Sequence, residues 1–260
     1  MLNTKPKQIV RLDKITKMLG DKGNVYISDF AKYFEVSEMT IYNDLKKLQN
    51  DSRIIIVKRG AVYKDHNDLI GIDLPYYERL NKNKEEKKAI ARKALNYISN
   101  HEAIFLDAST TIQYLAELLS REHSLHITVL TISPIIALEL SKNRNIEIIC
   151  TGGKLNHMHY FFYTDLGQIV KDINLNKAFI SCAGFSIENG FTEQLSEESK
   201  IKSTLKNYCK NIYVLTDNTK FNKIGAYTFG PISFAKKIIT NNFLDKKYIK
   251  LIKKQKVDII

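Results

Sequence analysis

Residues 36–48 read Val-Ser-Glu-Met-Thr-Ile-Tyr-Asn-Asp-Leu-Lys-Lys-Leu, and winding them as a helix separates two chemically different faces. Ser37 can cap the start, and the helix is expected to run to about Gln49. Ile41, Leu45 and Leu48 fall at i, i+4 and i+7, one apolar stripe that must be covered. Glu38, Met39, Tyr42, Asn43, Lys46 and Lys47 take the opposite face.

The cover lies upstream. Arg11 to Leu19 carries Leu12, Ile15, Met18 and Leu19 at helical spacing, and Asp21-Lys22-Gly23-Asn24 breaks that run. After Val25-Tyr26-Ile27, Ser28 can cap a second helix with Phe30, Ala31 and Phe34 on one side. Glu35-Val36 then forms a tight turn. Two short helices at such a turn, the second with an exposed polar face, make a helix-turn-helix. Downstream, Ile54-Ile55-Ile56-Val57 is strongly β-forming and Val62-Tyr63-Lys64 can return, so a hairpin wing would carry Lys58 and Arg59 at its tip, against a phosphate backbone.

Charge agrees with that placement. Residues 1–64 hold 13 basic and 7 acidic side chains, a surplus of six, and the other 196 residues hold 27 and 21, again six. The first quarter is therefore about threefold more positive per residue, as expected of a part that meets nucleic acid, although solvated lysine faces account for such a surplus as well. Cys150, Cys182 and Cys209 are odd in number and far apart, and they read as small buried residues in a reducing compartment. Met1 to Lys14 has no apolar run of signal-peptide kind, and Val129 to Leu140 is too short and too polar to span a bilayer. A cytoplasmic protein with no membrane partner is expected.

Residues 65–76 are polar and read as a linker between domains at 1–64 and 77–260. A helix is expected from Tyr77 to Ala94. Strands at 103–106, 127–130, 146–150, 177–181, 212–215 and 237–240 then alternate with helices at 111–119, 134–140, 197–209 and near 244–249. That alternation implies a Rossmann-like α/β domain with a mostly parallel sheet, covered on both faces. Ligands of such sheets collect at the carboxyl ends of the strands.

The loops there are polar and small: Asp107-Ala108-Ser109-Thr110-Thr111, Thr131-Ile132-Ser133, Thr151-Gly152-Gly153-Lys154, Ala183-Gly184 with Gly190-Phe191-Thr192, and Asp217-Asn218-Thr219-Lys220-Phe221. Hydroxyls at a helix N-terminus suit an anion, although on the first loop alone helix capping by Ser109 or Thr110 explains them better. Five such loops on one sheet edge favour a phosphate-bearing ligand.

These stretches resemble the DeoR family of bacterial repressors. The helix-turn-helix part of the resemblance rests on Val36-Ser37-Glu38-Met39-Thr40-Ile41, Asp44-Leu45, Leu48 and Arg59-Gly60-Ala61. The remainder rests on the ordered loops, with Glu197-Glu198 and Lys202 following Thr192. The resemblance implies a winged helix-turn-helix joined to a sensor domain related to sugar-phosphate isomerases, in a repressor released from its DNA operator by a phosphorylated sugar. It implies DNA contacts from Ser37, Met39, Thr40, Tyr42, Asn43, Lys46, Lys58 and Arg59. It also implies an effector site drawn from Asp107, Ser109, Thr110, Thr111, Thr131, Ser133, Gly152, Gly153, Lys154, Gly184, Thr192, Glu198, Lys202, Asp217 and Lys220. Within that site the Ser109-Thr110-Thr111 loop and Lys220 would hold the phosphate, while Asp107, Asp217 and Glu198 would meet sugar hydroxyls.

Departures from the family sharpen some expectations. Tyr42-Asn43 stands where the family usually has two arginines, and asparagine suits adenine, so an A·T-leaning operator is expected unless both residues only face solvent or phosphate. Ser109 and Ile132 replace a glycine and an asparagine. The aromatic run His157 to Tyr163 reads as a dimer-packing patch or lid rather than a metal site, since His157 and His159 have no third ligand at a suitable spacing. No cofactor and no metal is expected. The rival reading is an isomerase or deaminase with a DNA-binding arm, using Asp107, Asp217, Glu197 or Glu198 as acid and base. A third, a nucleic-acid binder without a ligand, leaves the loops unexplained. One wing and one helix contact few phosphates, so a dimer or tetramer is expected.

Overall fold

The computed structural model describes residues 7–22, 24–50, 54–57, 60–63, 74–241 and 246–260, which form two compact units, one ending at Ile72 and the other beginning at Asp73. Among these residues no helix is long and apolar enough to cross a membrane.

The N-terminal unit contains α1 (Lys7–Lys22), β1 (Asn24–Tyr26), α2 (Ile27–Phe34), α3 (Glu38–Asn50), β2 (Ile54–Val57) and β3 (Gly60–Tyr63). Ile15, Phe30, Ile41, Leu45 and Leu48 make its core, so the apolar stripe of α3 is covered by α1 and α2 as its spacing requires. Glu35 takes a left-handed conformation (φ 52°), which ends α2 and lets Val36 N–H reach the Ala31 carbonyl at 3.1 Å. Ser37 Oγ accepts from Thr40 N–H at 3.2 Å, the expected cap. The β2–β3 hairpin pairs Ile54 with Tyr63 and Val57 with Gly60, and β1 adds a third strand against β3. Lys58 and Arg59, expected at the wing tip, lie outside the described residues.

The C-terminal unit opens with α4 (Tyr76–Asn81) and α5 (Lys84–Leu95). The single helix expected over 77–94 is therefore two, because Asn83 turns left-handed (φ 52°), a conformation asparagine tolerates better than most residues. Tyr76, placed in the linker by the sequence, is fully buried and starts α4.

There follow β4 (Ala103–Leu106), α6 (Thr110–Leu119), β5 (Ile127–Thr131), α7 (Pro134–Leu140), β6 (Ile146–Cys150), the hairpin of β7 (Lys154–Asn156) and β8 (Phe161–Tyr163), and α8 (Leu166–Val170). Then come β9 (Lys177–Ile180), β10 (Gly184–Ser186), β11 (Gly190–Glu193), α9 (Ser196–Thr204), β12 (Ile212–Leu215), β13 (Tyr227–Gly230), β14 (Lys237–Ile239), α10 (Lys246–Lys254) and β15 (Asp258–Ile259). The helix expected over 197–209 stops at Thr204 and gives way to one 3-10 turn, and the last helix runs past its expected end at 249 to Lys254, residues 244 and 245 lying outside the described residues.

Seven strands form one parallel sheet in the order β15-β14-β12-β9-β4-β5-β6. Alternate residues serve opposite faces. Ile104, Leu106, Phe179, Tyr213 and Leu215 pack under α5, α6 and α7, while Phe105, Ala178, Ile180, Ile212 and Val214 face the other layer. That second layer holds the β7–β8 hairpin, α8, α9, α10 and a small antiparallel sheet, β10-β11-β13. Gly190 is required there: its φ is +69°, and a Cβ would sit 2.2 Å from the Gly230 carbonyl oxygen.

Strand order reverses between β4 and β9. From β4 the chain moves outward to β5 and β6, then returns to β9 on the other side. The crevice at such a reversal is where sheets of this type bind ligands. Cys150, at the end of the outermost strand β6, is exposed and not buried as its residue type suggested, whereas Cys182 and Cys209 are buried.

Candidate functional site

Asp107 leaves β4 directly into the crevice and is fully buried. Its Oδ1 accepts from Ser109 N–H at 2.9 Å, and its Oδ2 accepts from Ser181 N–H at 2.8 Å, just past the end of β9. One carboxylate thus bridges the two strands that flank the reversal. Lys202, reaching in from α9, lies 3.1 Å from the same Oδ2 and donates to the Ser181 carbonyl at 3.0 Å and to Glu193 Oε1. Burial alone would lower the Lys202 pKa, but Asp107, Glu193 and Glu198 together hold it well above the usual lysine range.

Glu193 responds in the opposite sense. Burial, with the Glu198 and Asp107 carboxylates nearby, outweighs the attraction of Lys202 and pushes Glu193 up to about 7. Its proton is therefore bound more tightly in the folded chain than in the unfolded one, and this group lowers stability as pH rises from about 4.5 to about 7. Glu193→Gln keeps an acceptor for Lys202 and removes the ionisation. The difference in melting temperature between variant and wild type should therefore move in the variant's favour across that window. A difference independent of pH would count against the buried ionisation.

Around this centre the network continues outward. Glu198 is buried on the same helix as Lys202, with Oε2 3.7 Å from Nδ1 of the buried His159, and Nδ1 also receives the Arg79 guanidinium at 3.0 Å. His159 belongs to the turn between β7 and β8, so the hairpin is tied to the crevice, and His157 is exposed beside it. Glu197, offered as an acid or base, is exposed and bonds Ser196 outside the crevice.

The loop hydroxyls are placed as caps. Ser109 Oγ accepts from Ile112 N–H at 3.3 Å and Ser133 Oγ from Ile136 N–H at 3.4 Å, heading α6 and α7. Thr131 Oγ1 accepts from Ser133 N–H at 3.1 Å. Thr110 and Thr111 are buried in the first turn of α6. The capping explanation preferred for the first loop thus describes Ser109, while leaving its O–H as a donor. Gly152 and Gly153 both have positive φ, and a Cβ on Gly153 would come 2.9 Å from the Tyr163 carbonyl. Close packing against β8 accounts for Gly153 without a ligand.

Three members of the expected site lie differently. Lys154 is exposed, 5.7 Å from the Tyr163 ring centre on the hairpin. Gly184 and Thr192 are strand residues of the small sheet. Thr192 Oγ1 donates to the Gly184 carbonyl at 2.9 Å and accepts from Gly225 N–H at 2.7 Å, so its hydroxyl proton is committed within the protein. Both are expected in the sequence as residues of the loop after the 177–181 strand. The pairing of β11 with both β10 and β13 makes it a strand instead.

The other end of the crevice is cationic. Asp217 Oδ1 accepts from Thr219 N–H at 3.0 Å and from Asn83 Nδ2 at 3.3 Å, joining the loop after β12 to the bend between α4 and α5. Lys87, one turn into α5, is 5% exposed and donates to the Arg79 carbonyl. Burial pushes it down to about 8; Asp217 opposes the fall, and Lys220, Arg79 and Lys82 add to it. Lys220 is partly exposed. Lys87, Arg79, His159 and Glu193 are not among the site residues expected from the sequence, where His159 reads only as part of a packing patch or lid. For Lys87 a signal existed: Lys87, Ile90, Ala91 and Ala94 share one helical stripe, so a lysine occupies a core position.

On the N-terminal unit, α3 shows Ser37, Glu38, Met39, Asn43, Lys46 and Lys47 to solvent, with Thr40 and Tyr42 half-buried. Lys46 Nζ lies 5.0 Å from the Tyr42 ring centre, holding the two side chains together. The helix is fixed from beneath: buried Asp44 accepts from Arg11 Nε at 2.5 Å and Gln8 Nε2 at 2.7 Å, and Lys47 donates to Gln8 Oε1 at 3.1 Å. That anchor was not anticipated either.

Comparison with known proteins adds two family matches. Residues 82–242 match the DeoR C terminal sensor domain and residues 11–67 the DeoR-like helix-turn-helix domain. The transcriptional regulator GolR of Listeria innocua is 30% identical, over 92% of this chain and 93% of its own. The lactose phosphotransferase system repressor of Staphylococcus epidermidis is 26% identical, over 91% and 94%. A solved ribose-5-phosphate isomerase in complex with phospho-erythronic acid is similar over 53% of this chain and 54% of that one, at 16% identity and a TM-score of 0.41, too low to support an argument.

Proposed function

The chain belongs to the DeoR family of helix-turn-helix regulators, and from that premise we propose that it represses a carbohydrate operon and leaves its operator when a phosphorylated sugar enters the crevice beside Asp107. The observation that carries this reading is the two-faced α3. Ile41, Leu45 and Leu48 are buried under α1 and α2, while a row of polar side chains, with Met39 among them, stands in solvent beside a hairpin. A helix so presented fits the major groove of double-stranded DNA.

A homodimer or tetramer would place two such helices on half-sites about one helical turn apart or a multiple of it. A ligand that favours another arrangement of the subunits would then release the DNA. The proposed contacts are Ser37, Met39, Thr40, Tyr42, Asn43 and Lys46, with Lys58 and Arg59 from the wing. The proposed effector contacts centre on the loop at Ser109, Thr110 and Thr111 and on Glu198, Asp217 and Lys220, in an otherwise cofactor-free cytoplasmic protein.

Regulation is favoured over catalysis by the state of the carboxylates. Both oxygens of Asp107 are taken by backbone N–H groups and Lys202, which suits a framework better than a proton carrier.

The test measures DNA retention by the full chain on its own upstream region, with sugar phosphates and their unphosphorylated parents added in turn. Release by one phosphosugar and not by its parent is the expected result. Failure to bind that DNA, or turnover of ribose 5-phosphate or glucosamine 6-phosphate, would overturn the reading.

A further inference from the structure

We propose that β6 is the seam along which a second copy of the chain joins, antiparallel and in register about Ile148, so that two seven-stranded sheets run on as one. This gives the homodimer of the reading above its surface, and it rests on that part of the reading alone.

The backbone of β6 alternates between its two sides. The Asn145 carbonyl accepts from Ile127 N–H at 3.3 Å, and Thr151 N–H donates to the Thr131 carbonyl at 3.1 Å, so the odd-numbered residues turn to β5. The N–H and C=O of Ile148 and Cys150 and the Ile146 carbonyl therefore face outward, where no hydrogen bond reaches them among the described residues. A second β6 laid antiparallel, Ile148 against Ile148, exchanges two main-chain bonds at the two-fold axis. On each side of that axis the Cys150 N–H of one copy meets the Ile146 carbonyl of the other. Ile148 is the middle residue of Ile146–Cys150, so this register pairs the whole strand with nothing overhanging. Such a contact uses one surface twice and closes at two copies.

The two edges of the sheet are unlike. β15 is two residues long and carries Asp258, which pairs with Lys237 at 3.4 Å, and short, charged edges resist pairing. β6 reads Ile-Glu-Ile-Ile-Cys, without proline, lysine or bulge. Its one charge is drawn from the seam, since Glu147 Oε2 accepts from Thr128 Oγ1 of β5 at 2.9 Å. The helix layer fits as well. α7 packs against β6, and Glu139 turns towards α6, accepting from Ser120 Oγ at 2.9 Å. Ala137 and Ser141, two residues to either side of Glu139, take the opposite flank, over the open edge. Both are small, and Leu138 beside them is 72% exposed. Extending the sheet sets the two α7 helices about 10 Å apart, the distance at which helices pack. A seam about 17 Å long, through α7, the sheet and the β7–β8 hairpin under Ile149, buries roughly 1,000 Å² in all, the lower end for a specific dimer. The main-chain bonds supply the specificity that so small an area lacks.

A simpler account leaves β6 as a bare edge in water. Disulfide trapping in the full chain separates the two, because the seam fixes which residues meet. Across the axis the Ile148 Cα atoms are about 5.5 Å apart, within reach of a disulfide, whereas the two Cys150 residues, four positions out of register, are about 14 Å apart. Ile148→Cys, made together with Cys150→Ser, should therefore run as a covalent dimer after treatment with oxidised glutathione, and wild type should not, although its Cys150 is exposed. Sedimentation velocity gives the second reading. Wild type should dimerise, and Ala137→Glu, which sets a carboxylate in the contact between the helices, should raise the dissociation constant about 10- to 100-fold. That change touches only a helix surface and guards against a folding defect in the strand variant. A dimer whose introduced thiols stay free, with Ala137→Glu associating as wild type does, sinks the seam and leaves the homodimer. A chain that sediments as a monomer at every concentration sinks both, whether or not a phosphosugar releases it from DNA. Trapping at the introduced thiols, with no phosphosugar releasing DNA, upholds the seam and sinks the ligand reading.

Discussion

Replacing Lys202 with methionine is expected to destabilise the C-terminal unit by about 3–5 kcal/mol, the usual cost of removing one partner from a buried ion pair. Methionine fills nearly the same space, so the loss is electrostatic and not a matter of volume. Without the ammonium, Asp107 and Glu193 are left buried with no cation between them, and Glu198 stands close by. The Ser181 carbonyl also loses its donor. Asp107 cannot leave, because it holds the N–H groups of Ser109 and Ser181 and so keeps β4 and β9 in register at their ends. A melting temperature lower by roughly 6–20 °C would follow for a unit of this size.

The pH dependence separates this cause from a simple packing defect. With Lys202 gone Glu193 loses the attraction that partly offsets its burial, so the folded chain holds that proton still more tightly than the unfolded one. The variant's deficit should then be smaller near pH 5 than near pH 8. A deficit of the same size at both values, or one below about 1 kcal/mol, would show that the cluster is not held by charge balance.

What could be read from the sequence followed from period and from loop chemistry. Ile104-Phe105-Leu106 and Ile127 to Leu130 are too apolar and too short for anything but buried strands, and the helices after them begin at Ser109 and Ser133, where a hydroxyl cap belongs. Asp107 entered the expected site as the first residue of the loop after β4 and by the family resemblance, and the structure explains it as a bridge across the sheet's reversal. Long-range pairing was less legible. Nothing local says that Arg11 reaches Asp44, 33 residues on, or that Lys202 serves Asp107. Such partners are fixed by topology and not by neighbours in the chain. The small sheet was missed because its strands are only three or four residues long and contain Gly184, Gly190 and Gly230, which read as turn residues. The break at Asn83 is illegible for the opposite reason: it interrupts an otherwise helical pattern with a conformation that leaves no periodic trace.

At the DNA face, Asn43→Ala should cost about 1–3 kcal/mol on the operator while leaving affinity for random DNA nearly unchanged; Lys46→Ala should weaken both alike and reduce the salt slope by about one. Asn43 is exposed on α3, short and uncharged, and an amide in that position can make two bonds to adenine N6 and N7. Lys46 sits one turn on, its ammonium 5.0 Å from the Tyr42 ring centre, a placement suited to phosphate and blind to sequence. Neither change disturbs the helix, since Ile41, Leu45 and the Asp44–Arg11 pair fix it from the other side. Fluorescence anisotropy on operator and scrambled duplexes over a range of salt reads both effects. Equal weakening of both duplexes by Asn43→Ala would assign Asn43 to the phosphate backbone. Selection from random duplexes supplies the independent check: an A·T-rich consensus that loosens at one position per half-site in the Asn43 variant fits adenine reading, and a guanine-rich one excludes it.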